Sequence, residues 1–309
     1  MSLVINHNLM ALNAARNLTG HYGNLSTSTR RLSSGLRVGT AADDAAGLAI
    51  RELMRSDIST INQGVRNAND AISMVQTADG ALQVIDEKLI RMKELAEQAA
   101  TGTYNSAQRL IIDSEYQAMA SEITRIAMAT DFNQVKLIDG TLTGVIPSDH
   151  NGTGLTTTGP MKIHFGTGND CSEDYYFISI GGATASHFGI GMNAATDTSE
   201  VGVGQYRGMT ISTQALAQNS LAALDDAIVS KDKIRANLGA LQNRLQNTIT
   251  NLQIQAENLQ AAESRISDAD VAMEMTEFVR NQILTQSAVA MLAQANSLPR
   301  MAMQLIGGA

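Results

Sequence analysis

The sequence predicts a mainly α-helical chain, in which a long antiparallel bundle carries coiled-coil terminal helices and a small β-hairpin region in the middle. The first observation is a heptad repeat that favours a long helix packed along one side. This repeat consists of Leu238, Leu245, Leu252, Leu259 and Ile266. The second is that apolar residues recur at the same helical spacing near both chain ends. The third is composition: the 309 residues are 44% hydrophobic but only 4% aromatic, with no Trp and three Pro, which suits extended helices.

The N-terminal 36 residues place apolar side chains at spacings of three and four, which predicts one face of a long helix. The positions on this face include Ile5, Leu9, Leu12, Leu18, Leu25 and Leu32. Ordering so many residues costs more conformational entropy than one apolar stripe on an isolated helix returns. We therefore expect this segment to be disordered in the free chain and ordered by partners.

Two further helices follow in the first half of the chain. Gly35 and Gly39 indicate a loop, after which Thr40 or Asp43 is expected to cap a helix from about residue 44 to residue 100. Such a helix is about 85 Å long at about 1.5 Å per residue. Residues 101–105 are typical of a turn, so we expect a second helix, capped by Asn105 or Ser106, to run back antiparallel.

Residues 141–209 differ in composition, since they hold 13 of the 25 glycines. Alternating apolar residues around 132–137, 162–165 and 175–180 predict short β-hairpins. We place the hairpins at about 132–180 and a short variable connection at 181–210.

The C-terminal segment mirrors the first one. Leu284, Met291, Leu298 and Leu305 repeat every seventh residue, so the two chain ends are expected to pair as an antiparallel coiled pair. The sequence thus predicts a terminal coiled-coil domain of residues 1–40 plus 270–309, and a helical bundle domain of residues 41–269.

No residue pattern indicates catalysis, a metal site or a cofactor. The five histidines form no HExxH pair, no GxxxxGK[ST] loop occurs, and Cys171 has no second cysteine to pair with. A net charge of -8 without a basic run disfavours nucleic acid as a partner. No stretch approaches the roughly 20 apolar residues that would cross a membrane, so a membrane is not expected either.

Several motifs resemble those of bacterial flagellin. They are LSSGLRVGTAADDAAGLAI at 32–50, RNANDAISMVQTADGAL at 66–82, and RISDADVAMEM with ILTQSAVAMLAQAN within 265–296. The resemblance implies a subunit of the extracellular flagellar filament, whose terminal helices line the filament core while residues 41–269 form a shell around them.

The same resemblance implies a set of partners. The chain would be exported unfolded by the flagellar type III apparatus, with a chaperone on its C-terminal helix, and added beneath a cap protein to a filament that meets hook-associated junction proteins. The N-terminus lacks a basic leader followed by an apolar block, so we expect no cleaved signal peptide.

Some members of this family are sensed by a Toll-like receptor. The contact motif maps onto Arg91, Leu95 and Glu115, but Ile90 stands where recognised members carry Gln. Packing between neighbouring subunits would use the same surface.

Three alternatives remain at this point. A hook–filament junction protein shares the terminal helices, and an adhesin or receptor ligand would bind as a monomer without polymerising. A flagellin with an inserted zinc peptidase requires an HExxH motif, which the sequence lacks.

Overall fold

The computed structural model describes residues 8–143, 159–170, 173–191 and 208–306, with the backbone alone for 298, 300 and 302–306. The helices are α1 (Leu9–Ser34), α2 (Ala45–Ala100), α3 (Ser106–Ala129), α4 (Gln214–Ser267) and α5 (Val271–Ile306). The strands are β1 (Asp131–Phe132), β2 (Val135–Lys136), β3 (Met161–His164) and β4 (Tyr175–Ile178), with a 3-10 turn at Thr141–Thr143. The predicted helical chain with a small β-hairpin region is confirmed.

The chain divides into two compact units, one of residues 1–58 with 257–309 and the other of residues 59–256. These boundaries fall inside α2 and α4, because both helices continue without a break. The predicted boundaries at residues 40 and 270 instead follow the loops between helices. That these boundaries separate a core domain from a shell domain in an assembled filament remains a prediction.

The unit of residues 59–256 has one apolar core, to which α2, α3, α4 and the hairpin region all contribute. Its most buried large side chains include Leu82, Ile85, Leu89, Tyr116, Ile123, Leu238 and Leu245. Helix α3 runs back along α2, since Arg109 donates to the carbonyl of Ala99 at 2.9 Å near the turn, and Glu115, further along α3, pairs with Arg91, further back on α2. The antiparallel course predicted from the turn at 101–105 is therefore confirmed.

Helix α4 runs antiparallel to α2 in the same unit, and ion pairs connect the two helices. Arg235 Nε lies 2.8 Å from Asp79 Oδ1, and Lys231 Nζ lies 2.6 Å from Asp86 Oδ1. A third pair joins Lys93 of α2 to Asp225 of α4. Burial alone would lower the pKa of Lys231, but hydrogen bonds to Asp232 and Asp86 outweigh it and the pKa is raised.

The helix starts only partly follow the predicted caps. Asp44, and neither Thr40 nor Asp43, accepts the backbone N–H of Gly47 at 2.9 Å at the start of α2. Asp43 instead closes the preceding turn, where a hydrogen bond from the Thr40 hydroxyl lowers the pKa of Asp43. At α3 the prediction is confirmed, because Asn105 forms a reciprocal capping box with Gln108.

The β3–β4 hairpin lies directly on α2. Its antiparallel register pairs Met161 with Ile178 and His164 with Tyr175. The Asn67 side chain of α2 donates to the carbonyl of His164 at 2.8 Å. The hairpin that the strand pattern predicted is therefore present, and these contacts place it on the helical core.

Residues 181–191, which were predicted to belong to a short variable connection, are packed against the helices. Ala183, Ala185, Phe188 and Ile190 are buried in the core, because apolar side chains spaced irregularly along this stretch still reach the helices. The rest of that connection, 192–207, lies outside the described residues.

The described chain resumes at Gly208, where side chains of α3 form hydrogen bonds with its backbone. Tyr116 Oη donates to the carbonyl of Gly208 at 2.7 Å, and the Asp113 carboxylate accepts the backbone N–H of Ile211 at 2.8 Å. The backbone N–H of Gly191 also donates to the carbonyl of Gly208, at 2.9 Å. The two described ends that flank 192–207 are therefore bonded to each other.

Candidate assembly interface

The two terminal helices pack against each other in the unit of residues 1–58 and 257–309. Asn8 caps α1 by accepting the backbone N–H of Ala11 at 3.0 Å, and its amide donates to the carbonyl of Ala295 at 2.8 Å. Arg31, near the other end of α1, lies 3.7 Å from Glu274 near the start of α5. The pairing is antiparallel, so the predicted pairing of the chain ends is confirmed.

The side chains that this pair buries are mostly small or polar. Those buried most completely are Ser28 on α1 and Asn281, Thr285 and Ala295 on α5. On α5 the buried and half-buried positions 281, 285, 288, 292 and 295 follow spacings of four and three, which marks the helix face turned inward. Small and polar side chains return little hydrophobic free energy, so apolar burial within one chain holds this pair weakly.

Large apolar side chains remain on the outer surface of the same helices. Leu9 and Leu12 are 70% and 60% exposed, and Leu284 and Met291 are also exposed. Leu18, Leu25 and Leu32 are half-buried. Ile5 lies outside the described residues, as do the side chains of Leu298 and Leu305.

The predicted seam therefore differs from the intramolecular one. On α5 the inward face uses 281, 285, 288, 292 and 295. The predicted spacing of four and three also passes through Ala288 and Ala295, which lie on this face, but its larger members Leu284 and Met291 are exposed. Met, Leu and Val occur all around this helix, so apolar periodicity alone cannot indicate which face a single partner takes. Only the burial of Asn281 and Thr285 identifies it.

A groove with a cavity volume of about 630 Å³ opens between α1 and α5. The residues that line it include Leu9, Met10, His21, Leu284, Met291 and Gln294. Its walls thus contain several of the exposed apolar side chains of both helices. An apolar groove beside exposed apolar side chains is a surface that another protein segment can cover.

The segments that connect the terminal helices to the long ones are joined by a short β-bridge between Leu36 and Asp268. The backbone N–H of Arg37 donates to the carbonyl of Ser267 at 2.7 Å, and that of Ala269 donates to the carbonyl of Gly35 at 2.9 Å. Gly35 adopts a positive φ of 71°, which ends α1. Sequence reasoning found the loop at Gly35 but missed this bridge, since two isolated residues give no strand pattern.

The predicted bundle seam is buried in the unit of residues 59–256, where it contributes Leu238, Leu245 and Leu252. Leu259 and Ile266, which belong to the other unit, are half-buried. The heptad repeat therefore marks the inward face of α4 along its length.

The predicted receptor contact is split between surface and core. Arg91 donates to Glu115 Oε1 through Nε and Nη2, at 3.0 and 2.8 Å, and this bonding raises the pKa of Arg91. Leu95 is only 1% exposed, because it faces the helical core. A direct receptor contact by Leu95 is therefore wrong for this fold, whereas Arg91, Glu115 and Ile90 lie on the surface.

The part of the chain that the structure describes offers no candidate metal site. No group of three or more His, Cys, Asp or Glu side chains within these ranges could hold a metal ion. Among the described helices, none combines the length and apolar character needed to cross a membrane. A second cavity, of about 320 Å³, lies between α2 and the hairpin and is lined by side chains such as Asn67, Phe132 and His164.

Comparison with known proteins gives consistent matches along the chain. The family model of the bacterial flagellin N-terminal helical region matches residues 5–143, and that of the C-terminal helical region matches residues 221–306. A flagellin of Halalkalibacterium halodurans is 38% identical over 304 residues, covering 98% of this chain and 100% of that protein. The flagellar filament core protein flaB2 of Brachyspira hyodysenteriae is 37% identical over 304 residues, with coverages of 98% and 100%.

A solved structure supports the fold. A protein from Vibrio parahaemolyticus described as flagellar hook-associated is 15% identical and has a TM-score of 0.53, covering 73% of this chain and 100% of that chain. At this identity the similarity concerns the fold alone.

Proposed function

Because this chain belongs to the bacterial flagellin family, we propose that it is a structural subunit of the extracellular flagellar filament used for swimming, and that copies assemble through α1 and α5. The distribution of buried and exposed side chains on these two helices supports this choice of assembly surface. Within one chain their most completely buried residues are small or polar, whereas Leu9, Leu12, Leu284 and Met291 are exposed. Flagellins are structural proteins, so this role needs neither catalytic residues nor a cofactor.

In this proposal the terminal residues, 1–40 and 270–309, become fully ordered only when copies polymerise and line the filament core. The weakly apolar seam between α1 and α5 supports this step, since it offers little free energy to offset the entropy of ordering two long helices. Neighbouring copies that cover the apolar groove and the exposed leucines would supply the remainder. Residues 41–269 would then form the surrounding shell.

The deciding experiment is sedimentation of purified monomer with and without sheared filament seeds, followed by limited proteolysis of both fractions. We expect the soluble monomer to be trimmed at both ends and the seeded pellet to be protected. A monomer that stays soluble with protected ends would contradict assembly through these helices.

A substitution arm locates the surface. Leu12→Asp introduces a charge at an exposed position of α1, so the circular dichroism of the 59–256 unit should be unchanged while seeded growth is lost. Leu12→Ile is the matched control, since it keeps the apolar surface and should still assemble. Equal growth of both variants would exclude Leu12 from the interface.

A role in the hook–filament junction is distinguished by abundance. A filament subunit should dominate the protein sheared from cells, whereas a junction subunit should be a trace component. Quantitative mass spectrometry of sheared material separates the two.

We further propose that the subunit is exported through the flagellar type III apparatus, and that a chaperone covers α5 beforehand. The exposed apolar side chains of α5, such as Val271 and Met273, would otherwise invite aggregation. The cap and the hook-associated junction proteins would meet the same helices at the two filament ends. Removal of residues 271–309 should abolish chaperone co-purification, and an intact mass for the exported protein is expected if no signal peptide is cleaved.

A host Toll-like receptor is the remaining proposed partner, and its contact would involve Arg91 and Glu115. In a receptor reporter assay, monomer carrying Arg91→Ala should signal less than unmodified monomer. Arg125→Ala is a suitable control, because Arg125 is also an exposed arginine paired with a glutamate, Glu122. Leu95→Ala is unsuitable as a probe, since truncating this buried side chain would destabilise the core by about 2–5 kcal/mol.

A further inference from the structure

Exposed methionines are concentrated on the two terminal helices. Met273 and Met291 of α5 are 68% and 63% exposed. Among the described side chains of α1 and α5, the exposed methionines are Met10, Met273, Met275, Met291 and Met301. The unit of residues 59–256 buries Met74 and Met92 completely or nearly so, and the only large exposure among its described methionines is at Met128 on α3.

Exposure decides how these side chains meet oxidants. A peroxide transfers one oxygen atom to the thioether sulfur, giving methionine sulfoxide and water, so that sulfur loses two electrons and the peroxide bond is reduced. The reaction needs access to the sulfur, which Met273 and Met291 offer and Met74 and Met92 do not. The product replaces an apolar side chain by a polar one that carries a strong hydrogen-bond acceptor.

The position of two of these methionines determines the consequence. Met10 of α1 and Met291 of α5 line the same groove, with Leu9 and Leu284 beside them. A sulfoxide oxygen on either residue would tolerate water in the free subunit. It would lose that water without gaining a partner when an apolar helix covers the groove.

We propose that Met10, Met273, Met275, Met291 and Met301 form a modification site for peroxide-class oxidants, and that their sulfoxides block addition of the free subunit to a filament. The inference rests on the proposed function, since it requires that other copies cover α1 and α5. It goes beyond that function by making assembly sensitive to oxidation in the interval before the subunit is added. Because Met74 and Met92 are shielded, the oxidised subunit keeps its 59–256 core.

The experiment treats native monomer with dilute hydrogen peroxide, maps oxidation by peptide mass spectrometry, and measures growth from unoxidised seeds. We expect sulfoxide at the five terminal methionines and not at Met74 or Met92. A single buried unsatisfied polar group corresponds to a loss of about 5- to 150-fold in an equilibrium constant, so the critical monomer concentration should rise by at least about fivefold. Incubation with methionine sulfoxide reductases should restore growth.

The matched control replaces the five methionines together by leucine, which conserves their volume and apolar character. This variant keeps Met128, and after the same peroxide treatment it should grow as well as before treatment. Preassembled filament should also resist oxidation at the five positions.

The outcomes separate the two proposals. If untreated monomer fails to grow from seeds, the proposed assembly itself is contradicted. If untreated monomer grows and the oxidised monomer grows equally, or if the leucine variant stays sensitive to peroxide, the modification site is refuted while the assembly role stands.

Discussion

Gly64 lies where α2 meets the backbone of the hairpin, and a side chain there has no room. A Cβ atom at residue 64 would lie 2.7 Å from the carbonyl carbon of Phe165 and 2.8 Å from its Cα, both of them backbone atoms. The close approach lets Asn67 reach the carbonyl of His164. The hairpin therefore rests on the helix only because residue 64 is glycine.

Gly64→Ala should destabilise the 59–256 unit by about 1–3 kcal/mol, because the hairpin backbone must move to relieve the overlap. Chemical denaturation followed by circular dichroism measures this change. Gly80→Ala is the control on the same helix, since a Cβ at residue 80 meets nothing within 4 Å. That variant should be neutral or gain up to about 1 kcal/mol from helix propensity. Equal effects at both positions would contradict the close-approach argument.

Asp174 organises the turn of the β3–β4 hairpin. Its carboxylate accepts the backbone N–H of Asp170 at 2.8 Å and that of Gly168 at 3.1 Å. These hydrogen bonds favour the charged form and lower the pKa of Asp174 below its ordinary value of 3.8. A carboxyl with a depressed pKa stabilises the fold above its unfolded pKa, and this contribution is lost as pH falls through the folded pKa.

The turn should consequently open only in acid, below pH 3.8. Amide NMR signals of Gly168 and Asp170, followed as pH is lowered, measure the opening. Asp174→Asn weakens both hydrogen bonds at neutral pH and removes the titrating group, so its turn signals should not respond to acid in that range. An unchanged acid response in this variant would assign the transition to another carboxyl.

At the scale of elements, the ion pairs between α2 and α4 determine how the two helices align. Asp79, Asp86 and Lys93 lie seven residues apart on α2 and pair with Arg235, Lys231 and Asp225 of α4. The sign reverses at the third pair. Displacing α4 by one heptad in one direction would bring Lys93 near Lys231, and in the other direction Asp86 near Asp225. Each displacement thus creates a like-charge contact, which favours the native register.

The buried pair should couple more strongly than the exposed one. We expect a double-mutant cycle of Asp86→Asn and Lys231→Met to give a coupling energy of about 1–3 kcal/mol, because Lys231 is buried. The exposed pair, tested with Lys93→Met and Asp225→Asn, should give less than about 0.5 kcal/mol. Denaturant unfolding of the four single and two double variants measures both energies. Comparable couplings would mean that burial does not set the strength of these pairs.

The helices themselves were largely predictable from the sequence. The expected span of 44–100 agrees with α2 at Ala45–Ala100, because a sustained apolar period leaves no other conformation that buries the stripe. The cap at Asn105 was also predictable, since a polar side chain followed three residues later by Gln108 forms a reciprocal pair. The sequence did not predict that Asp44, and not Asp43, caps α2. Both are aspartates, so only the backbone conformation at the start of the helix distinguishes them.

The partner of each helix face was harder to predict. On α5 the apolar residues cover more than one face, and the intramolecular contact takes the face that contains Asn281 and Thr285. A search for apolar periodicity selects Leu284 and Met291 instead. Similarly, the motif at Arg91, Leu95 and Glu115 indicates three neighbouring positions without revealing that Leu95 faces the core.

For the whole molecule, the hydrogen bond between Gly191 and Gly208 closes the base of the segment from 192 to 207. Tyr116 holds Gly208 from α3, and burial raises the pKa of Tyr116, so the phenol remains a donor to the carbonyl of Gly208. The described residues on both sides of this base are thus joined by hydrogen bonds of their own.

Replacing residues 192–207 by a short Gly-Ser linker should therefore leave the thermal midpoint of the 59–256 unit within about 2–4 °C of the parent, which corresponds to about 1 kcal/mol at this size. Differential scanning calorimetry measures this. Tyr116→Phe in the same background should lower the midpoint, because the carbonyl of Gly208 loses its buried donor. A collapse of the unit on excision alone would show that 192–207 contributes to its stability.

The bridge between the connecting segments has a mechanical consequence. Residues 35–37 are hydrogen-bonded to residues 267–269, so tension applied to α1 reaches both α2, through its own connector, and α4, through the bridge. The same holds in reverse for α5. A subunit under torsional load in a rotating propeller would then distribute the force between the covalent connector and the hydrogen-bonded bridge. If one of them failed, the other would still transmit force from the terminal helices.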